Sequence, residues 1–243
     1  MKCYENPRVA DWAVKQIIEK MAKGGNRTGK PHASEIYQCF RRTYRHRSGD
    51  QRTYGRKAVL RFAAGFAMQE WFLGPEADGQ EAFGVIFSPD RVEGNHVLEF
   101  KTTRYSYQKK RLTDRDNEPP PASHLGVNVV DVDWEPGKFS PTRLDSWVLR
   151  TGLYCAAIGT NLAHVLVFFL YADDVRAWTF EYSNEDLEWL MYDATRRGEV
   201  LQEHLDYGVQ PGVATRLGDW ECGFCPYLQD CLPELKKDGY KED

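Results

Sequence analysis

SPDRVEGNHVLEFKTT, residues 88–103, is the stretch on which the architecture turns. Gly94-Asn95 is a turn signal, and VLEFK beyond it has strand character. Residues alternate across the faces of a strand, so Glu99 and Lys101 point one way while Leu98 and Phe100 are expected to face the core. A carboxylate and an ammonium two residues apart form an ordinary surface pair in many strands. Asp90, arriving from the preceding turn, changes that reading. Asp90 and Glu99 can jointly hold a hard divalent ion, Mg2+ or Mn2+, through oxygen ligands, with the Phe100 carbonyl as a further ligand. Such an ion polarises a phosphodiester and lowers the pKa of a bound water. Lys101 then orients or deprotonates that water, or offsets charge building on the phosphoryl group. Aspartate, eight residues, then E-x-K reads as a nuclease metal site.

Outward from this stretch, Val85 to Phe87 and Val97 to Lys101 read as strands. Upstream, a helix runs from Arg56 to Phe72 and ends before Gly74 and Pro75. Ser34 is an N-cap candidate for a helix that carries Cys39. Val9, Trp12, Ala13, Ile17 and Met21 recur at helical spacing, which predicts a helix over 8–22, followed by the linker GGNRTGKP. Downstream, residues 102–145 read as a long irregular insertion with PPPA and EPGKFSP as loop signals. Then come a helix from Leu144 to Ile158, a hairpin of Ala163 to Tyr171 and Arg176 to Tyr182, and a helix capped by Ser183 or Asn184 that runs to about Leu205. Helix, strands, helix and strands in that order predict a mixed α/β sheet with helices on its faces.

The chain has 243 residues, 42% of them hydrophobic and 13% aromatic, enough for a substantial core. Its longest apolar run, LAHVLVFFLYA, is too short to span a bilayer. MKCYENPRVADW contains no apolar signal-peptide core, so the expected compartment is the cytoplasm, with no membrane partner. The net charge of −4 hides an asymmetry. Arg41, Arg42, Arg45, Arg47, Arg52, Arg56, Lys57 and Arg61 crowd one segment beside a single acid, Asp50. Arg104, Lys109, Lys110, Arg111 and Arg115 crowd another, with Tyr105 and Tyr107 interleaved. Each run alone reads as a solvated face, but two runs flanking a carboxylate site read as a phosphate-binding surface. Tyrosines among cations suit single-stranded DNA, whose bases stack on rings while phosphates meet the charges.

The cysteines are the second signature. Cys39 stands alone, and CGFCPYLQDC supplies Cys222, Cys225 and Cys231. Reduced thiols clustered in this way more often bind metal than form disulfides. Three thiolates leave room for a fourth ligand, and Cys39 in that role would tie the two ends of the chain together. Zinc and an iron–sulfur cluster both suit four thiolates. The alternative for Cys39 is a core cysteine on its helix. Closing so long a loop would add up to about 5 kcal/mol by the cross-link entropy argument. Cys155, in an apolar helix, reads as core.

With both signatures in place, the chain resembles the PD-(D/E)XK nucleases, and in particular the RecB-like branch that contains the CRISPR-associated exonuclease of the Cas-four type. SEIYQCFRRTYRHR is similar to the family's N-terminal cysteine segment, SPDRVEGNHVLEFKTT to its catalytic core, and CGFCPYLQDC to its C-terminal cysteine segment. The resemblance covers residues 34–231. It implies a restriction-endonuclease-like mixed sheet over the whole chain, with 34–55 and 206–231 as the cluster-binding part and 56–205 as the nuclease core. It implies a 4Fe–4S cluster on Cys39, Cys222, Cys225 and Cys231, and catalysis by Asp90, Glu99 and Lys101 with Mn2+ or Mg2+. Implied too is exonuclease action on DNA, often on single strands with 5′ ends, in CRISPR spacer acquisition or phage or cellular recombination. The partners would be a CRISPR integrase or another recombination protein, with oligomers allowed.

Two positions depart from the family pattern. Where the family has a histidine four residues after a glycine, this chain has Gln69 after Gly65; Gln69 could offer a neutral oxygen to the metal, or Glu70 could serve. Where it has Q-x-x-x-Y, this chain has Arg150 and Tyr154, and Arg150 would hold a phosphate. With Arg41, Arg42, Arg45, Arg104, Tyr105 and Tyr107, Arg150 and Tyr154 make up the expected DNA-binding set. The competing functional readings are a DNA-binding accessory subunit with a weak or inactive site, and a zinc-stabilised nuclease.

Overall fold

A computed structural model of the chain describes residues 29–50, 56–74, 79–103, 145–170 and 174–240, together with 8, 12, 15–17, 19, 126, 127, 135 and 138. The elements in chain order are α1 (Ala33–Ile36), α2 (Phe40–Arg47), α3 (Arg56–Leu73), β1 (Gln80–Ala82), β2 (Val85–Phe87), β3 (Arg91–Glu93), β4 (His96–Thr103), α4 (Asp145–Ile158), β5 (Leu162–Phe169), β6 (Asp174–Glu181) and α5 (Asn184–Asp206). Two 3-10 turns, Val213–Thr215 and Asp219–Phe224, then lead into α6 (Leu228–Leu235). The architecture is the expected α/β one, a mixed sheet flanked by helices.

The sheet has the order β3-β4-β5-β6. β4 and β5 are parallel, with Glu99 opposite Val165 and Lys101 opposite Val167, while the outer pairs are antiparallel. A parallel pair needs a crossover, and α4 lies within the one that joins β4 to β5. β1 and β2 form a separate hairpin, turned at Phe83 and Gly84, which both take positive φ. The sequence reading missed β1 and β3, each of three residues and without a hydrophobic alternation to mark it.

β5 is the clearest consequence of residue pattern. Ala163, Val165, Val167 and Phe169 are completely buried on one face, and the residues between them are half-buried on the other. The buried face joins Val97, Val148, Leu149, Leu153, Leu190 and Leu201 in the main core. This corrects the expected facing of β4. Glu99 shares its face with Val97, so the carboxylate lies on the side of the main core. Phe100 is buried on the opposite side, its ring stacked on Phe72 of α3 at 5.3 Å.

α4 lies close to α5 because residue 152 is glycine: a Cβ there would come within 2.4 Å of Leu190 and 2.7 Å of Tyr182. The Tyr182 hydroxyl donates to the Val148 carbonyl at 2.7 Å and lies 2.7 Å from the Thr151 hydroxyl, which fastens the ring to the same helix. Ser183 caps α5, its hydroxyl accepting from the Asp186 amide while the Asp186 carboxylate accepts from the Ser183 amide.

Two expectations near the N-terminal end change. The cap of α1 is His32 rather than Ser34, and Glu35 closes a capping box on its amide. The helix also does not run through Cys39: it breaks after Ile36, and Cys39 becomes the N-cap of α2. At the other end, the segment CGFCPYLQDC runs into α6, which carries Cys231.

Of the predicted 8–22 helix, the described residues, Arg8, Trp12, Lys15 to Ile17 and Glu19, are helical. Most of the 102–145 insertion lies outside the described residues. Thr102 and Thr103 belong to β4, and Val127 is 3% exposed and packs into the main core.

Candidate active site and cysteine clasp

Asp90, Glu99 and Lys101 meet at the floor of a cleft of about 530 Å3, whose lining also includes His32, Phe66, Gln69, Arg150 and Tyr154. β4 supplies Glu99 and Lys101 by strand alternation. The turn after Pro89 supplies Asp90, which is tied to the same strand because the Phe100 amide donates to its Oδ2 at 2.6 Å. Gln69, on α3, donates its Nε2 to Asp90 Oδ1 at 2.8 Å. Gln69 therefore holds the aspartate through its nitrogen, rather than presenting an oxygen as expected. Glu70, the substitute considered for it, is exposed.

The charges are close and largely dry. Glu99 is 1% exposed and Asp90 8%. Lys101 Nζ donates to Glu99 Oε1 and to the Phe100 carbonyl at 3.0 Å, and lies 4.0 Å from Asp90 Oδ2. Arg150, one turn before Tyr154 on α4, also donates to Glu99 Oε1. Burial, reinforced by the neighbouring Glu99 charge, raises the Asp90 pKa to about 6. Burial pushes the Glu99 carboxyl the same way, but the Arg150 and Lys101 charges outweigh it and hold Glu99 below the usual range. The other Glu99 oxygen, Oε2, is buried without a hydrogen-bond partner. A buried carboxylate oxygen left bare is costly unless something cationic or protic is to occupy it, so this oxygen, on a residue that lines the cleft with Asp90, fits a divalent cation.

Some residues of the site escaped the sequence reading. Phe66, 59% exposed at the cleft rim, lies one helical turn before Gln69, and that spacing was the available signal. His32 and Ser88 also line the cleft. The pairing of Arg150 with Glu99 had no local signal.

The cysteines gather elsewhere. Cys39, Cys222, Cys225 and Cys231 line one small pocket with Arg41, Arg42 and Glu221. None of the four is in a disulfide, nor is Cys155. Burial raises the Cys39 and Cys225 pKa values. Cys155 is fully buried in the main core, its thiol pushed up to about 12 by burial, in keeping with a packing role. Among the described residues, no three His, Cys, Asp or Glu side chains form a group that could hold a metal ion.

Polar contacts fasten the same two chain segments. Glu221 accepts from the Cys39 amide at 2.7 Å. Arg41, 6% exposed, makes a fork on Glu234 at 2.9 and 2.8 Å, donates to the Pro211 carbonyl at 2.7 Å and approaches Cys231 Sγ at 3.8 Å. Arg45 pairs with Asp230 at 2.5 Å and packs over the Tyr227 ring. Arg41 and Arg45 were expected to face DNA; both guanidiniums are instead turned inward onto α6. Arg42, half-buried, lines the cysteine pocket. Tyr154 is 4% exposed and lines the cleft. Arg104, Tyr105 and Tyr107 lie outside the described residues.

No protein-family model matches the chain, and no curated protein matches it. Among solved structures, the crystal structure of SSO0001 matches over 92% of this chain and 96% of that one, at 13% identity and a TM-score of 0.52, which shows a shared fold. The crystal structure of LHK-Exo in complex with dAMP matches over 73% of this chain and 90% of that one, at 11% identity and a TM-score of 0.39. Among the described residues, no helix is long and apolar enough to cross a membrane.

Proposed function

We propose that the chain is a divalent-metal-dependent DNA exonuclease that hydrolyses phosphodiesters at single-stranded ends, with 5′ ends favoured. The observation that carries this reading is the buried Glu99 oxygen without a hydrogen-bond partner, on a residue that lines one cleft with Asp90 and Lys101. Asp90, Glu99 and the Phe100 carbonyl would hold Mn2+ or Mg2+. The ion would supply Lewis-acid polarisation of the phosphodiester and a more acidic water. The chain's own residues do the rest. Gln69 and the Phe100 amide fix Asp90 in place. Lys101, poised between both carboxylates, orients the water or meets charge on the phosphoryl group. Arg150 offers a forked cation to phosphate. Phe66 presents a ring on which an unpaired base can stack.

A 4Fe–4S cluster held by Cys39, Cys222, Cys225 and Cys231, which line one pocket, would be a structural clasp away from the chemistry. End trimming in CRISPR spacer acquisition, beside an integrase, or in recombination is the setting this activity fits.

The test is cleavage of 5′- and 3′-labelled single-stranded oligonucleotides with Mn2+ or Mg2+, by wild type and Asp90→Asn, together with iron and sulfide analysis of anaerobically purified protein. Undiminished cleavage by Asp90→Asn would remove the site assignment; zinc without iron would remove the cluster. One observation favours a second reading, a DNA-binding accessory subunit: Arg150 and Lys101 already neutralise Glu99. That reading predicts salt-sensitive DNA binding with no cleavage in any divalent metal.

A further inference from the structure

The cleft balances its charge without a metal. Asp90 and Glu99 face Lys101 and Arg150, and the two cations crowd one oxygen of Glu99 while the other oxygen has none. A divalent cation entering beside Asp90 and Glu99 would meet two cations already in place. Arg150 cannot relieve that repulsion by losing its proton, because a guanidinium stays charged throughout the working pH range. It can only leave Glu99 and pair with another anion. Its side chain is four-fifths buried, its Nε is buried without a partner, and it lines the same cleft as both carboxylates. An anion in that cleft can therefore reach Arg150, and a phosphate group matches the guanidinium fork.

We propose that Arg150 is a phosphate-responsive counter-ion of Glu99: it occupies the carboxylate until a nucleotide phosphate draws it away, so that divalent cation and phosphate enter the site cooperatively. This inference rests on the metal site of the proposed nuclease. Its consequence is a protein that takes up metal weakly alone and more tightly with a nucleotide end in place. By linkage, metal also tightens the grip on phosphate by the same factor.

The experiment measures Mn2+ binding by electron paramagnetic resonance of the free ion, with and without saturating thymidine 5′-monophosphate. This nucleotide carries a phosphate but no internucleotide bond to cut. Direct attraction between Mn2+ and phosphate is present in every protein, so comparing wild type with Arg150→Gln isolates the arginine. In wild type the nucleotide is expected to tighten Mn2+ binding by roughly ten-fold or more. Arg150→Gln is expected to bind Mn2+ roughly ten-fold more tightly than wild type without nucleotide, and to lose most of the nucleotide gain. Arg150→Lys, which keeps the charge without the fork, covers the case in which the glutamine variant fails to fold: weak Mn2+ binding with a reduced gain supports the coupling, and an unchanged gain overturns it. Equal Mn2+ affinity and equal gain in wild type and Arg150→Gln would overturn the coupling while leaving the metal site standing. No Mn2+ binding in any protein, even with nucleotide, would overturn both.

Discussion

Replacing Gly152 with alanine puts a methyl group where α4 has no room for one. The added Cβ would lie 2.4 Å from Leu190 Cδ1 and 2.7 and 3.0 Å from the Tyr182 ring. Carbon atoms pack best at about 3.5 Å or more, so the misfit is about 1 Å. Neither neighbour can easily yield. Leu190 is completely buried, and Tyr182 is hydrogen-bonded to Val148 and Thr151 on α4 itself, so moving the helix drags the ring along. Overpacking of this kind costs about 1–3 kcal/mol. For a chain of this size that lowers Tm by about 2–12 °C, read by differential scanning calorimetry. Arg150 and Tyr154 lie two residues either side of Gly152. A shift of about 1 Å in α4 therefore also misplaces Arg150 against Glu99, and cleavage should fall by up to about 100-fold. Shortening the obstacle with Leu190→Ala should recover part of both losses, so the double variant is better than the sum of the singles. A Gly152→Ala protein that melts within a degree of wild type and cleaves at the same rate would refute this account of the helix contact.

Asp90→Asn should abolish cleavage yet raise Tm in metal-free buffer at pH 8. The folded Asp90 pKa of about 6 lies above that of an unfolded aspartate, so the folded state binds the extra proton and metal-free stability falls as pH rises from about 4 to about 6; a Tm for Asp90→Asn below wild type at pH 8 would contradict this. Arg41→Ala should cost about 1–3 kcal/mol in urea unfolding, because it leaves the Pro211 carbonyl and Glu234 without their buried donor. Since Arg41 faces α6, the slope of DNA affinity against salt should stay as in wild type, whereas a slope reduced by about 1 would restore it as a phosphate contact. Phe66→Ala should leave Tm unchanged and weaken single-stranded oligonucleotide binding by about 1–3 kcal/mol in fluorescence anisotropy; unchanged affinity would remove the stacking role.

What the sequence reveals here follows the range of the interactions. The strand through Glu99 and Lys101, the buried alternation of β5 and the Ser183 cap are written in neighbouring residues, and each appears where its pattern places it. The three-residue strands β1 and β3 are too short to carry a pattern. The arginines after Cys39 show how far a local reading reaches. A basic run suggests phosphate, but the acids that neutralise Arg41 and Arg45 are Glu234 and Asp230, far along the chain on α6. The site repeats the lesson. E-x-K is local, and so is Asp90 before it, whereas the pairing of Arg150 with Glu99 depends on α4 returning over β4. The same long-range packing decides which face of β4 is dry, and so turns Glu99 from a surface acid into a buried one.

The contact between the Cys39 amide and Glu221 also has a consequence for biosynthesis. A chain emerging from the ribosome presents the α2 segment well before its partners Glu221, Asp230 and Glu234. The strands and helices that build the cleft are therefore synthesised before the clasp can close. During that interval Arg41 lacks Glu234 and Arg45 lacks Asp230, and Cys39 waits without the other three thiols. The nascent protein is open to stray polyanions and to thiol oxidation at that stage, and the emergence of residues 221–234 ends both exposures together.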